Sequence, residues 1–136
     1  MRGYCPVGFK KAIEHFVELA AETVVFYEDY FGLPYPLPKL DLVACHTLNV
    51  RAMENWGCIT FKRDVILTDP NCQPSLLFQR NSRTVTHEVS HMWFGNLVTM
   101  EWWDDIWLNE GFARFSEHYS LDKLRPEYHI WDKYMH

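Results

Sequence analysis

Apolar side chains at Ile13, Phe16, Val17, Ala20, Val24, Tyr27 and Phe31 recur at helical spacing, while Glu14, Glu18 and Glu22 mark another face. That pattern predicts an amphipathic helix over residues 9–31, ended by Gly32. Residues 32–38 hold three prolines, which remove backbone donors and push their predecessors to extended angles, so this stretch predicts a stiff connector. Short apolar runs at 40–45, 57–62 and 64–67 predict three strands. A turn cluster at 69–74 precedes a second long helix over 75–94, on which Val85, Val89 and Met92 fall near the side opposite His87 and His91. Residues 99–105 lead into a last helix, with Asp104 or Asp105 placed to cap it and Leu108, Phe112, Phe115 and Tyr119 as its buried stripe. Glu110 projects from a different side. Trp102, Trp103 and Trp107 are expected in the core or a pocket wall, and Arg125-Pro126 closes the helix before a further segment over 127–136.

Composition sets bounds on this outline. The 136 residues make one modest domain, and 48% of them are hydrophobic, enough to build a core. A formal charge of −5, with no basic cluster along the chain, argues against nucleic acid or an anionic membrane as partner. No run approaches the roughly 18 apolar residues of a membrane span, and residues 1–9 lack a signal-like apolar core. Cys5, Cys45, Cys58 and Cys72 are scattered without Cys-x-x-Cys spacing, which reads as reduced thiols rather than a metal site or disulfide framework.

Candidate chemistry centres on His87-Glu88-Val89-Ser90-His91. On a helix turning about 100° per residue, His87 and His91 differ by only about 40°, so their imidazoles face one point and can share a metal. Glu88 lies about 100° round from His87, off the metal axis, where a carboxylate can take a proton from water. A catalytic zinc takes three protein ligands and leaves one position open. Glu110 is the best third ligand, because the intervening residues finish one helix, turn at Gly95-Asn96 and start another that returns a carboxylate. Each piece has a plainer reading: a surface histidine pair, and a Glu110–Arg114 ion pair four residues apart on a helix. Those readings do not explain why both pieces occur together at ligand spacing. His15, His46, His118, His129 and His136 have no such spacing and read as surface or structural residues.

Residues 87–91, Trp93-Phe94-Gly95-Asn96-Leu97-Val98-Thr99-Met100-Glu101-Trp102-Trp103 and the stretch from Trp107 to Ala113 resemble the core of the gluzincin zinc aminopeptidases, the family of aminopeptidase N and the puromycin-sensitive aminopeptidase. The resemblance implies an α+β fold, a partial thermolysin-like zincin catalytic domain built from a helix, short antiparallel-type strands, a zinc-motif helix and a glutamate-ligand helix. It implies one zinc ion on His87, His91 and Glu110, Glu88 as the catalytic base, and a peptide with a free amino terminus as substrate. Ala52, Met53, Glu54 and Asn55 match the family's Gly-Ala-Met-Glu-Asn motif, an edge strand whose backbone pairs with substrate and whose Glu54 would hold the α-ammonium. Arg51 stands in place of the motif's glycine and brings bulk and positive charge towards that end of the substrate.

The match corresponds to about the first half of the family's catalytic domain. The amino-terminal β domain, the carboxy-terminal helical domain and the downstream oxyanion-binding tyrosine are expected outside residues 1–136, and the rest of the catalytic domain is an expected partner. A zinc-binding fragment without turnover and a weak endopeptidase are the alternatives to an aminopeptidase. The expected location is cytoplasmic, or a membrane-anchored ectoenzyme if an upstream segment carries an anchor.

Overall fold

A computed structural model describes residues 1–69, 71 and 75–134. Its first strand, β1 (Arg2–Tyr4), is followed by the long helix α1 (Lys10–Phe31), which ends at Gly32 in a left-handed conformation with φ 65°. Ile13, Phe16, Leu19, Ala20, Thr23 and Tyr27 form the buried face of α1. Strands β2 (Asp41–Cys45), β3 (Ala52–Met53) and β4 (Cys58–Lys62) complete a sheet of order β1-β2-β4-β3. A helical turn, α2 (Arg63–Ile66), leads to α3 (Leu76–Ser90), α4 (Ile106–Leu124) and the short α5 (Ile130–Tyr134). The α+β class therefore holds.

Strand sense differs from the expectation. Among the described residues only β3 and β4 run antiparallel, whereas β1–β2 and β2–β4 are parallel, with Arg2 opposite Asp41 and Asp41 opposite Cys58. Parallel strands need a crossover connection, and α1 supplies one between β1 and β2. Residues 64–67 are a second departure, because α2 replaces the predicted strand. Val65 and Ile66 are both buried, which successive residues of a strand cannot achieve on one face. Asn81 Nδ2 holds the turn, donating to the Asp64 carbonyl at 3.2 Å and to Thr68 Oγ1 at 2.8 Å. Of the turn cluster at 69–74, Pro70 and Cys72 to Pro74 lie outside the described residues.

The core lies where α1, α3 and α4 meet one another and the sheet. Tyr27 is fully buried there; its hydroxyl donates to the Thr86 carbonyl at 3.2 Å and shares a 2.9 Å hydrogen bond with Ser120 Oγ. Burial raises its pKa far above the ordinary phenol value, keeping a neutral donor between three helices. Tyr27→Phe should lower unfolding free energy by about 1–3 kcal/mol, since it strands buried polar partners, and a urea titration with unchanged m would measure the loss. Trp93 pins the proline connector against this core through an indole N–H bond to the Leu33 carbonyl at 3.0 Å.

The face buried by α4 is not the predicted apolar stripe. Asn109, Ala113, Ser116, Glu117, His118, Ser120 and Leu121 are buried, while Phe112 and Phe115 are about half exposed. Trp102, Trp103 and Trp107 are likewise on the surface, each 65–66% exposed, rather than in the core. Phe112 stacks on Phe94 at 4.9 Å and Phe115 on Tyr119 at 5.8 Å, while small and polar residues make up most of the buried side of α4. Asp105 occupies the N-cap position of α4, although its side chain makes no capping hydrogen bond.

Candidate metal centre and active site

Ser75 starts α3 by accepting from the Phe78 N–H at 3.2 Å, and Val85, Val89 and Met92 seat the helix in the core as its pattern predicts. Regular helix ends at Ser90, with His91 at its C-terminal cap rather than four residues further on. The chain then turns through Gly95 at φ 120°, a conformation that favours glycine. A Cβ on Gly95 would collide with the Asn109 side chain, so this close approach also requires glycine.

His87, His91 and Glu110 converge. The two Nε2 atoms are 3.1 Å apart, and Glu110 Oε2 is 3.4 Å from His87 Nε2 and 3.9 Å from His91 Nε2. Donors held about 2.0–2.1 Å from a tetrahedral zinc lie about 3.3–3.4 Å from one another, so these spacings suit one ion. The far ring nitrogens strengthen the fit. His91 Nδ1 faces two acceptors, the Phe94 carbonyl at 2.9 Å and Asn109 Oδ1 at 3.2 Å. His87 Nδ1 lies 2.7 Å from Glu117 Oε2, a short contact poorly aligned for a straight hydrogen bond. With both Nδ1 atoms protonated towards oxygen, two Nε2 lone pairs point at one place, an arrangement that calls for a cation. Arg114 does not take Glu110 in the simple helix pair; it pairs with Glu117 at 3.1 Å.

Glu117 and Asn109 are the site residues that sequence reasoning missed. Seven residues separate Glu117 from Glu110, placing them within about 20° on one helix face. That spacing was a readable signal. Glu117 is 2% exposed and also pairs with Arg83 at 3.3 Å. Burial opposes charge on His87, yet Glu117, Glu88 and Glu110 outweigh it and raise the imidazole pKa. Replacing Glu117 with Gln should weaken metal affinity by about 10–100-fold, the usual cost of losing a carboxylate behind a ligating histidine. Competition with a chromogenic chelator would read it.

Glu88 is 6% exposed and lines one cavity wall with His87 and Ala52. Burial raises its carboxyl to about 8; His87 pulls it down, while Glu54, Glu110 and Glu117 push it up. A cation on the histidines would add to the downward pull and favour a carboxylate able to accept a proton. Glu54 reaches the same place, with donor atoms of Glu54, Glu88 and His91 within 4.8 Å of one another. Asn96 Nδ2 fixes Glu54 by donating to its backbone carbonyl at 2.9 Å. Ala52 and Met53 form β3 at the sheet edge, where among the described residues one side of their backbone has no strand partner. Asn55 Nδ2 braces the following turn by donating to Thr60 Oγ1 at 3.2 Å.

Arg51 does not turn towards Glu54. Its guanidinium donates to Asn81 Oδ1 at 2.9 Å and Thr84 Oγ1 at 3.3 Å, on the other side of His87 along α3. His118, expected at the surface or in a structural role, is buried beside Glu117. His15 packs against Phe16 and Phe78, His46 and His129 are exposed, and His136 lies outside the described residues.

A histidine pair one turn apart, a carboxylate from the next helix and a buried glutamate beside them form the donor set that mononuclear zinc hydrolases use. The chain belongs to peptidase family M1: the Peptidase family M1 domain matches residues 15–136. It is 44% identical over 135 residues to the alanine/arginine aminopeptidase of Saccharomyces cerevisiae, covering 99% of this chain and 16% of the yeast protein. Identity is 42% over 125 residues to the aminopeptidase N of Lactobacillus delbrueckii subsp. lactis, covering 92% of this chain and 15% of that protein. The puromycin-sensitive aminopeptidase of Caenorhabditis elegans is 41% identical over 131 residues, covering 96% of this chain and 14% of its own length. This chain thus spans 14–16% of the length of these relatives. Among the described residues, no helix is long and apolar enough to cross a membrane.

Proposed function

We propose that this chain carries the zinc-binding and proton-transfer part of an aminopeptidase that releases amino-terminal residues from peptides. The observation that carries the reading is the convergence of His87 Nε2, His91 Nε2 and Glu110 Oε2 at ligand spacing. These three residues would hold the ion. When bound, zinc supplies a Lewis acid that polarises a carbonyl and lowers the pKa of water. Glu88 accepts the proton of the attacking water at its carboxylate and delivers it to the departing amine. Glu54 holds the substrate's α-ammonium by charge and hydrogen bonding, and the Ala52–Met53 edge aligns the peptide backbone. Asn55 keeps the turn beyond that edge in place.

The segment is one portion of a larger catalytic domain, with the amino-terminal β and carboxy-terminal helical domains outside residues 1–136. The small share of each relative's length supports this division, as do the exposed Trp102, Trp103, Trp107, Phe112 and Phe115 on a face suited to a further part of the domain. A cytoplasmic location accords with free thiols at Cys5, Cys45 and Cys58.

Hydrolysis of a free aminoacyl peptide and its acetylated counterpart by the zinc-loaded chain tests the reading. Cleavage abolished by acetylation supports an amine held at Glu54. Equal cleavage of both would make the activity endopeptidase-like, and stoichiometric zinc without cleavage would leave a metal-binding fragment.

A further inference from the structure

A cavity of about 340 Å³ opens beside His87 and Glu88, between β3, α3 and α4. Four guanidiniums reach it: Arg51 from the residue before β3, Arg80 and Arg83 from α3, and Arg114 from α4. Glu117 is the other carboxylate on its wall besides Glu88. It is already engaged, lying against His87, Arg83 and Arg114. Arg51 donates to neutral Asn81 and Thr84, and among the described residues neither Arg51 nor Arg80 has a carboxylate at ion-pair distance. Burial, together with repulsion from Arg80 and Arg83, lowers the Arg51 pKa against the opposing pull of Asp64. An excess of positive charge in a chain of net charge −5 is therefore concentrated in one cleft.

The position along the substrate follows from β3. Glu54 is held near the C-terminal end of α3 by Asn96, whereas Arg51 is held one to two turns before His87 by Thr84 and Asn81. A peptide paired antiparallel to the β3 edge, with its amine at Glu54, runs towards Arg51. Two extended residues span about 7 Å, bringing the group after the first peptide bond to the arginine cleft. We propose that this cleft is a carboxylate-binding subsite for the residue following the scissile bond, taking either an acidic side chain or the terminal carboxylate of a dipeptide. The placement rests on the aminopeptidase reading above. Guanidinium recognises a carboxylate through paired, charge-assisted hydrogen bonds, which a neutral amide cannot match.

Four substrates test this subsite: alanyl-glutamyl-alaninamide against its glutaminyl counterpart, and the dipeptide alanyl-alanine against alanyl-alaninamide. The expected result is a preference of about tenfold or more in kcat/KM for a carboxylate form. It should collapse in Arg51→Gln or Arg80→Gln, read as the ratio of the two kcat/KM values within each pair for each enzyme. Preference in the first pair assigns the side chain, and preference in the second assigns the chain terminus. Equal rates within both pairs, or a preference surviving both substitutions, would overturn the proposal. If none of the four is hydrolysed, the chain by itself is the metal-binding fragment named above, and titration calorimetry with the same peptides decides the subsite separately. Tighter binding of the carboxylate forms supports it, and equal affinity within each pair refutes it.

Discussion

Glu88→Gln is expected to remove turnover while leaving zinc bound. Gln keeps the size and shape of the side chain but cannot accept the proton of water, and losing a general base commonly slows a reaction by about 10²–10⁴-fold. Glu88 is absent from the His87–His91–Glu110 group, so metal content should stay at one ion per chain. Zinc quantification and peptide hydrolysis measured on the same samples separate the two effects. A variant retaining more than a tenth of wild-type activity would exclude Glu88 as the base. A variant that lost its zinc would instead give it a metal-holding role.

Chelation should destabilise the fold as well as inactivate it. The proposed ligands come from α3 and α4, so an ion there joins two elements of the core. Binding to the native state alone, with free zinc a thousandfold above its dissociation constant, stabilises by about 4.1 kcal/mol. Calorimetry with and without a chelator should therefore show Tm falling on metal removal and recovering on zinc addition. The same Tm in both samples would rule out a metal that binds preferentially to the folded chain.

Long helices and short polar spacing were legible in the chain. The α1 period and the Gly32 stop agree with the structure because one face meets the core along the whole helix. The histidine spacing likewise foretold convergence, since four residues nearly complete one helical turn. Other features depended on contacts that local pattern does not encode. The three residues of β1 are too short to give a period, and without β1 the crossover that makes the sheet largely parallel was invisible. Phe112 and Phe115 look like a core stripe, but α4 meets α3 through Asn109, Ala113, Ser116 and Glu117. Arg51, Arg80, Arg83 and Arg114 form no basic run along the chain, yet folding gathers them around one cavity. Glu117 was overlooked although its seven-residue interval from Glu110 placed both carboxylates on one side of α4.

The Asn96 bond to the Glu54 carbonyl would bear on where the proposed enzyme cuts a peptide. Asn96 follows His91 by five residues, on the turn that ends α3, so one short segment carries both a proposed metal ligand and the brace for the glutamate proposed to hold the amine. In the proposed aminopeptidase it would act as a gauge, fixing the separation between where the peptide's first atom rests and where the bond is opened. A gauge of fixed length counts one residue whatever side chain that residue bears. Loosening it would blur the cleavage position before it blunted the chemistry.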